Sequence, residues 1–290
     1  MWGLAFVAPA VGLFAVFGVY TVGYGLLLSF ARWNGISPDW TWVGLGNFRD
    51  LLYADPVLAP RIRSSLITTL IVMVALPAAV AVISFPIAYL LNRIRRLRGF
   101  LRTVFFLPYV TAGIAVFYAW RFIYEPNGIL NAVLGLLQLD GLVQPAGFLG
   151  NPNTALGATV VVLVWANVPL GILLFLTGLQ SIPDELIEAS QLDGASTART
   201  MRSVVLPLLN PITALLVVVE LREALQNYQL FLLLTNGGPV GRTTTLGLET
   251  YQFAFGQQPD LGYASALGWL LAVVAGVLAV ANFMVLRSRT

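Results

Sequence analysis

Long apolar runs recur along this chain and constrain its fold more than any other feature. Six of them are long enough for a helix that crosses about 30 Å of hydrocarbon at roughly 1.5 Å per residue. They cover residues 3–30, 64–91, 103–123, 156–178, 211–234 and 264–287. Backbone groups in lipid must be hydrogen-bonded within the segment, so each run is predicted to be an α-helix. The chain is therefore predicted to be an all-α integral membrane protein with six transmembrane helices in a single domain, residues 1–290.

The composition agrees with this class and excludes much catalytic chemistry. Hydrophobic residues make up 58% of the chain and charged residues 10%, against about 45–50% and about 25% in soluble domains. Cysteine, histidine and lysine are absent, so the chain lacks the usual ligands of soft metals. Without lysine it cannot form the Gly-Lys-Ser/Thr phosphate loop of an ATPase. We predict no catalytic residue and no metal site, and if ATP drives this protein, another chain binds it.

All basic residues are arginines, and their distribution predicts the orientation of the chain in the membrane. One side holds Arg93, Arg95, Arg96, Arg98, Arg102, Arg199, Arg202, Arg287 and Arg289; the other holds Arg32, Arg49, Arg61, Arg63 and Arg242; Arg121 and Arg222 lie within spans. Cytoplasmic loops carry the excess of arginine. Both termini and residues 181–210 are therefore predicted to be cytoplasmic, although Arg61 and Arg63 run against the trend.

The first apolar run begins almost at Met1, where a secretory signal would also lie. It is longer than the apolar core of such a signal, about 7–15 residues, and it has neither a basic flank nor a small-residue cleavage site. We therefore expect it to be retained as a helix.

The polar stretch at residues 181–210 interrupts the apolar pattern and carries several helix signals. Ser181 is predicted to cap a helix, with Pro183 in its first turn and Asp184 and Glu185 facing the positive end of the helix dipole. Gly194 then permits a sharp bend. We predict a short helix, a glycine bend and a second helix at the membrane surface. A solvated hairpin that merely joins the fourth and fifth spans would carry the same signals.

These residues also match a known pattern. Glu188-Ala189-Ser190, Asp193-Gly194-Ala195 and, after eight intervening residues, Val204-x-Leu206-Pro207 resemble the EAA signature of binding-protein-dependent ABC importer permeases. Ser190 replaces the alanine at the third position of this triplet, and Val204 replaces the usual isoleucine. Further segments resemble the carbohydrate-uptake branch of that family, typified by maltose and glycerol-phosphate permeases: Phe105-Phe-Leu-Pro108, Pro126-Asn-Gly128, Thr235-Asn-Gly-Gly-Pro239 and Leu261-Gly-Tyr-Ala-Ser-Ala266.

The resemblance implies a multi-pass permease subunit, and not an enzyme, in a bacterial or archaeal cytoplasmic membrane. It implies a second homologous permease, two ATPase subunits that bind ATP and magnesium, an extracytoplasmic solute-binding protein, surrounding lipid and no nucleic acid. The expected cargo is a sugar, an oligosaccharide or a glycerol phosphate. The family's coupling helix, which docks on the ATPase, corresponds to residues 188–194. The residues that the resemblance assigns to ATPase coupling are Glu188, Ala189, Ser190, Asp193, Gly194, Ala195, Leu206 and Pro207.

Polar residues within the fifth span are candidates for the substrate path. Each charged group there costs about 2.5–3.5 kcal/mol on insertion scales, so these groups are expected to face the protein interior or water. The candidates are Glu220, Glu223, Gln226 and Asn227, with Tyr228 as an aromatic surface and Asn167 of the fourth span as a further candidate. Helical spacing predicts that Glu220, Glu223 and Asn227 share one stripe. Alternatively, Arg222 neutralises one of the glutamates, and the cluster joins this helix to the partner permease.

Two other functional classes are compatible with parts of the sequence. In a stand-alone secondary transporter, Glu220 and Glu223 would form a proton relay. The absence of an internal repeat of spans and the docking stretch at 181–210 argue against it. An intramembrane enzyme is disfavoured because the chain has no histidine, no cysteine and no paired metal ligands.

Overall fold

The computed structural model describes residues 2–94, 98–111 and 113–287, and most of them are helical. The α-helices are α1 (Trp2–Phe14), α2 (Thr21–Ser29), α3 (Gly46–Arg49), α4 (Leu58–Arg93), α5 (Arg98–Thr111), α6 (Ile114–Ile123), α7 (Ile129–Leu136), α8 (Ala155–Gln180), α9 (Asp184–Leu192), α10 (Thr197–Thr200), α11 (Leu206–Leu208), α12 (Asn210–Gln226), α13 (Tyr228–Thr235), α14 (Leu246–Phe255) and α15 (Leu261–Arg287). Two short strands, β1 (Ala31–Arg32) and β2 (Thr41–Trp42), form an antiparallel pair. The predicted all-α class is confirmed.

Short non-α turns complete the helical path. π-helical segments cover Ala15–Tyr20, Asp50–Ala54 and Met201–Val205, and a 3₁₀ turn covers Asp140–Leu142. The first π segment joins α1 to α2, so the predicted span 3–30 is helical up to Ser29 and ends in a turn at Phe30. The third joins α10 to α11 and continues the helical path through residues 197–208.

Four helical segments of the described chain have the length and hydropathy to cross a membrane. They are Phe6–Ser29, Leu58–Arg93, Ala155–Gln180 and Leu261–Leu278, which correspond to the first, second, fourth and sixth predicted spans. A bent pair, Thr197–Leu208 and Asn210–Gln226, meets at 62° and adds a fifth if the two helices count as one span.

The third and fifth predicted spans are each interrupted in the structure. Residues 103–123 form α5 and α6 rather than one helix, with Gly113 in an extended conformation before α6; residue 112 lies outside the described chain. Residues 211–234 form α12 and α13, separated by the non-helical Asn227. The Asn227 side chain accepts a hydrogen bond from the Leu230 backbone N–H at 3.2 Å and so caps α13. Glycine and a capping asparagine both favour a helix boundary over a helix interior.

The second span begins earlier than predicted, at Leu58 instead of residue 64. The Asp55 carboxylate caps this end, because its Oδ1 accepts from the backbone N–H groups of Val57 and Leu58, each at 2.8 Å. These two bonds stabilise the ionised carboxylate and lower the pKa of Asp55. The first residues of α4 fall outside the span predicted from hydropathy because they include Arg61 and Arg63.

The chain divides into two compact units. The first unit contains the residues up to Leu66 together with Thr245–Val274. Its apolar core consists of Leu51, Ile62, Leu246, Ala266 and Leu267. The second unit contains Ile67–Thr244 and the residues after Val274, and its core includes the buried faces of α8 and α12.

An ion pair within the first unit joins α4 to α14. Glu249 is completely buried, and its carboxylate receives Arg61 at 2.7 Å through Nε and the Ser65 hydroxyl at 3.1 Å. The Arg61 guanidinium also donates to Gln252 at 2.9 Å and lies over the Phe253 ring. A buried carboxylate requires such partners, so Arg61 is needed to compensate the charge of Glu249. The apolar pattern of the sequence gives no reason for a cation at this position.

This ion pair yields a prediction about stability. Replacing Arg61 with methionine leaves the Glu249 carboxylate buried beside weaker donors, so we expect a loss of about 1–3 kcal/mol, reduced from the value of a fully buried pair because half of the Arg61 side chain is exposed. Thermal unfolding of the purified protein in detergent measures this loss. The control is Arg63→Met, which removes an exposed arginine two residues after Arg61 in the same helix. Equal unfolding temperatures for the two variants would contradict the prediction, whereas adding Glu249→Gln to Arg61→Met should restore part of the loss.

Candidate functional site

The second unit contains a cavity of about 380 Å³. Its wall comes from five helices and from the two points where predicted spans are broken. The lining residues are Tyr109, Gly113, Phe117, Ala166, Asn167, Leu170, Val219, Arg222, Glu223, Gln226, Asn227 and Gln229. Irregular backbone is tolerated at membrane depth where it lines a cavity, and here both interruptions, at Gly113 and Asn227, lie on the same wall.

Hydrogen bonds fix the polar side chains of this wall. The Asn227 amide donates to Glu223 Oε1 at 2.7 Å, while its own oxygen caps α13. Asn227 is therefore held at both ends of its side chain. On the opposite helix, Asn167 is buried and its amide donates to the Leu163 carbonyl at 2.9 Å, a bond that does not involve the amide oxygen. The cavity thus presents oriented carboxylate and amide groups.

Most, but not all, of the predicted substrate-path residues meet at this cavity. Asn167, Glu223, Gln226 and Asn227 line it, whereas Glu220 and Tyr228 are absent from its described wall. The predicted stripe therefore holds for Glu223 and Asn227, which bond to each other, and not for Glu220. Residues three apart are offset by roughly 60° around a helix, and this offset turns Glu220 away.

Glu220 occupies a different environment from its neighbours. Its side chain is fully buried, and among the described residues neither carboxylate oxygen has a hydrogen-bond partner. Arg222 forms no ion pair within the described chain and instead lines the cavity. Arg222 therefore does not pair with Glu220 or Glu223 among the described residues, and contact of this cluster with a partner permease stays a prediction.

Some cavity residues escaped sequence reasoning. Phe117 and Gln229 were not singled out, because Phe117 is one aromatic residue among many apolar ones and Gln229 lies within an apolar run. The apolar pattern predicts Gly113 within a continuous span, residues 103–123. The available signal was its position between two apolar segments, each shorter than a full crossing.

The stretch at residues 181–210 forms the second candidate site. α9 begins at Asp184, after Pro183, and has no side-chain cap. The prediction that Ser181 caps this helix is wrong, because its hydroxyl donates to the Gly178 carbonyl at 2.8 Å and closes the end of α8 instead. Carbonyls at a helix C-terminus lack intrahelical partners, which explains this preference. Asp184 and Glu185 do occupy the first turn, as predicted.

The predicted bend at Gly194 is confirmed. Gly194 adopts φ +78°, the left-handed region that favours glycine. The N–H of Gly194 donates to the Gln191 carbonyl and that of Ala195 to the Ser190 carbonyl, each at 3.0 Å. These two bonds form a Schellman motif at the end of α9. The chain then continues as a helical path from Thr197 to Leu208.

The surface of α9 is exposed. None of its residues is buried, and the apolar Leu186 and Leu192 are 45% and 89% exposed. Glu188 and Ala189 of α9 are exposed, as is Asp193, which follows its last residue. An exposed helix with acidic and apolar side chains has the chemistry of a docking surface.

Comparison with known proteins places the chain in a family. The family described as "Binding-protein-dependent transport system inner membrane component" matches residues 59–289. The multiple sugar-binding transport system permease protein MsmF of Streptococcus mutans is 33% identical over 96% of this chain and 93% of its own length. The diacetylchitobiose uptake system permease protein NgcF of Streptomyces coelicolor is 32% identical over 98% of this chain and 82% of its own.

A solved structure shares the fold. A chain of a bacterial ABC transporter involved in the import of the acidic polysaccharide alginate superimposes with a TM-score of 0.78 over 99% of this chain and 96% of that one, at 22% identity. The family match, covering most of the sequence, agrees with the EAA-like residues at 188–207. The chain therefore belongs to the binding-protein-dependent inner-membrane transport components, the permease subunits of ABC importers, and is not itself an enzyme.

Proposed function

We propose that this chain imports a carbohydrate as one of two permease subunits in an ATP-driven importer, and that it forms half of the translocation path. Relatives over nearly the full length of the chain are named for sugar transport. A trehalose/maltose permease of Thermococcus litoralis, 30% identical over 94% of the chain, is a further one. The expected cargo class is a sugar, an oligosaccharide or a glycerol phosphate.

The cavity is the observation that carries the proposal. Sugar hydroxyl groups both donate and accept hydrogen bonds, and the cavity offers them a carboxylate at Glu223 and amides at Asn167, Gln226 and Asn227. Tyr109 and Phe117 add aromatic surface for the apolar face of a sugar ring. Broken helices with polar groups at a cavity are also the way in which many transporters build a midplane site.

The proposed membrane arrangement keeps six crossings. The pairs α5 with α6 and α12 with α13 would each cross the membrane as a broken helix. The arginine distribution supports cytoplasmic termini and a cytoplasmic location of residues 181–210; Arg95, Arg96 and Arg289, which contribute to it, lie outside the described residues. Two arginines assigned to the external side are paired with acids, Arg32 with Asp50 and Arg61 with Glu249, which weakens their opposition to this orientation.

In this proposal α9 is the coupling helix. Two ATPase subunits, each binding ATP and magnesium, would close on ATP and move α9 as a rigid body, and the bistable packing of the permease would convert this movement into alternating access. The exposed Glu188 would pair with a basic residue of the ATPase, and Ala189, Asp193, Gly194 and Ala195 would form the close contact. Leu206 and Pro207 would connect the element to α12. A solute-binding protein outside the membrane would deliver the cargo.

Reconstitution tests the functional class. We expect this chain, together with its second permease, its ATPase and its binding protein in proteoliposomes, to take up carbohydrate only when ATP is enclosed with the ATPase. Uptake should be insensitive to a protonophore, because no proton gradient drives it. Uptake by this chain alone that collapses with a protonophore would establish the secondary-transporter alternative, with Glu220 and Glu223 as its relay.

A matched pair of glutamates tests the cavity. Glu223→Gln keeps the shape of the side chain but removes its charge from the cavity wall, so we expect uptake at low cargo concentration to fall roughly tenfold, the effect of losing a charged hydrogen bond of about 1.5 kcal/mol. Glu220→Gln, three residues away but absent from that wall, should leave the concentration for half-maximal uptake unchanged. If Glu220→Gln lowers uptake and Glu223→Gln leaves it unchanged, the cargo does not pass through this cavity.

Two variants test the coupling helix. Glu188→Ala removes the proposed contact with the ATPase, and Gly194→Trp places a side chain in a left-handed conformation that L residues rarely adopt. In the reconstituted complex we expect each to lower cargo-stimulated ATP hydrolysis roughly tenfold, while Glu185→Ala in the first turn leaves it close to wild type. Unchanged stimulation in both variants would remove the support for this assignment.

A further inference from the structure

One side-chain hydrogen bond distinguishes the stretch at 181–210 from its surroundings. Ser190 Oγ on α9 lies 2.6 Å from Thr200 Oγ1 at the end of α10. Thr200 is buried, with 5% of its surface exposed, and Ser190 is half-buried. Among the described residues, this is the side-chain hydrogen bond that connects α9 to another helix.

The geometry of α9 makes this bond important. α9 has nine residues, and none of them is buried. A helix of this length is not stable on its own, and apolar burial does not fix it here. Gly194, which joins α9 to the following helix, has open space around the position of a Cβ atom. Without a further restraint, the bend would leave the angle between α9 and α10 free to vary.

Ser190 restrains the bend through both its backbone and its side chain. Its carbonyl accepts the Ala195 N–H of the Schellman motif, and its hydroxyl bonds to Thr200 beyond the bend. Both contacts therefore bridge Gly194, because each joins Ser190 before the glycine to a residue after it. Because Thr200 is buried, water competes weakly for its hydroxyl, and the bond between the two side chains keeps more of its strength.

We propose that Ser190 and Thr200 form a hydroxyl clasp that fixes the angle between α9 and α10, so that a push on α9 moves the permease instead of bending the chain at Gly194. The inference rests on the proposed role of α9 as the coupling helix. It makes Ser190 and Thr200 positioning residues, since they act through the geometry of α9. The EAA signature has alanine where this chain has Ser190, and alanine has no hydroxyl with which to form the clasp.

The test measures how much solute is imported per ATP hydrolysed. In proteoliposomes that contain the complete importer and its binding protein, Ser190→Ala and Thr200→Val should each lower this ratio roughly threefold to tenfold, the range expected for one intramolecular hydrogen bond. The double variant should be no worse than either single variant, because both remove the same bond. If the angle between α9 and α10 varies, ATP hydrolysis continues without moving the permease, so less solute is imported per ATP hydrolysed.

Controls separate the clasp from a general effect on folding. Ser190→Thr combined with Thr200→Ser keeps both hydroxyls and should keep the wild-type ratio. Ser203→Ala removes an exposed hydroxyl from the same stretch and should also keep it. The recovered amount of assembled importer reports folding for every variant.

A cysteine pair gives a test within one protein sample. The described chain has no cysteine, so Ser190→Cys with Thr200→Cys introduces one thiol pair at the clasp. Because the two hydroxyl oxygens are 2.6 Å apart, we expect the two thiols to be close enough to form a disulfide. We expect the oxidised sample to couple at close to the wild-type ratio and the reduced sample to lose coupling.

Three results would overturn the clasp: a wild-type ratio in Ser190→Ala, additive losses in the double variant, or equal ratios in the oxidised and reduced cysteine pair. These outcomes are distinct from failure of the proposed function. If the unmodified importer shows neither ATP-dependent uptake nor cargo-stimulated ATP hydrolysis, the proposed function fails and the clasp with it. An active importer that ignores these substitutions overturns the clasp alone.

Discussion

The requirement that backbone groups in an apolar environment be hydrogen-bonded governs most of this structure. It makes the long apolar segments helical, as in α4 and α8. It also makes any interruption expensive unless the freed groups find other partners. At Asn227 the side chain supplies them by capping α13, and the interruption lies on a polar cavity. The interruptions at Gly113 and Asn227 therefore both lie on the cavity that Glu223 and Gln226 also line.

The glutamates of α12 show why a polar residue in a membrane helix cannot be assigned a role from its type alone. Glu220 and Glu223 are three residues apart and have the same chemistry, yet one is fully buried and the other lines the cavity beside Asn227. A transport path needs groups that reach the cargo, which favours Glu223. Burial of the Glu220 carboxylate without a hydrogen-bond partner costs free energy in this conformation. Such a cost lowers the stability of this conformation relative to another one in which Glu220 is solvated.

Sequence reasoning identified the all-α class, the four long spans and the family, because hydropathy over twenty residues and the spacing of the EAA-like residues are strong local signals. It placed the bend at Gly194 correctly, since a glycine after a short helix needs only local geometry. The predicted cap at Ser181 is wrong because this hydroxyl lies between two helix ends and bonds to the end of α8. The predicted span at residues 103–123 is interrupted because average hydropathy does not detect a break between two apolar helices. Sequence reasoning also could not separate Glu220 from Glu223, because that difference arises from packing against other helices.

Ser190 illustrates a further limit of pattern matching. Against the family signature it is a size-conserving replacement of alanine and carries no apparent consequence. In the structure, the hydroxyl finds Thr200 ten residues away, on the far side of the glycine bend. A short exposed helix can transmit a movement only if it does not rotate about its own connection, and neither its length nor its burial prevents such rotation here. The stiffness must then come from specific contacts, and the change from a methyl group to a hydroxymethyl group provides one.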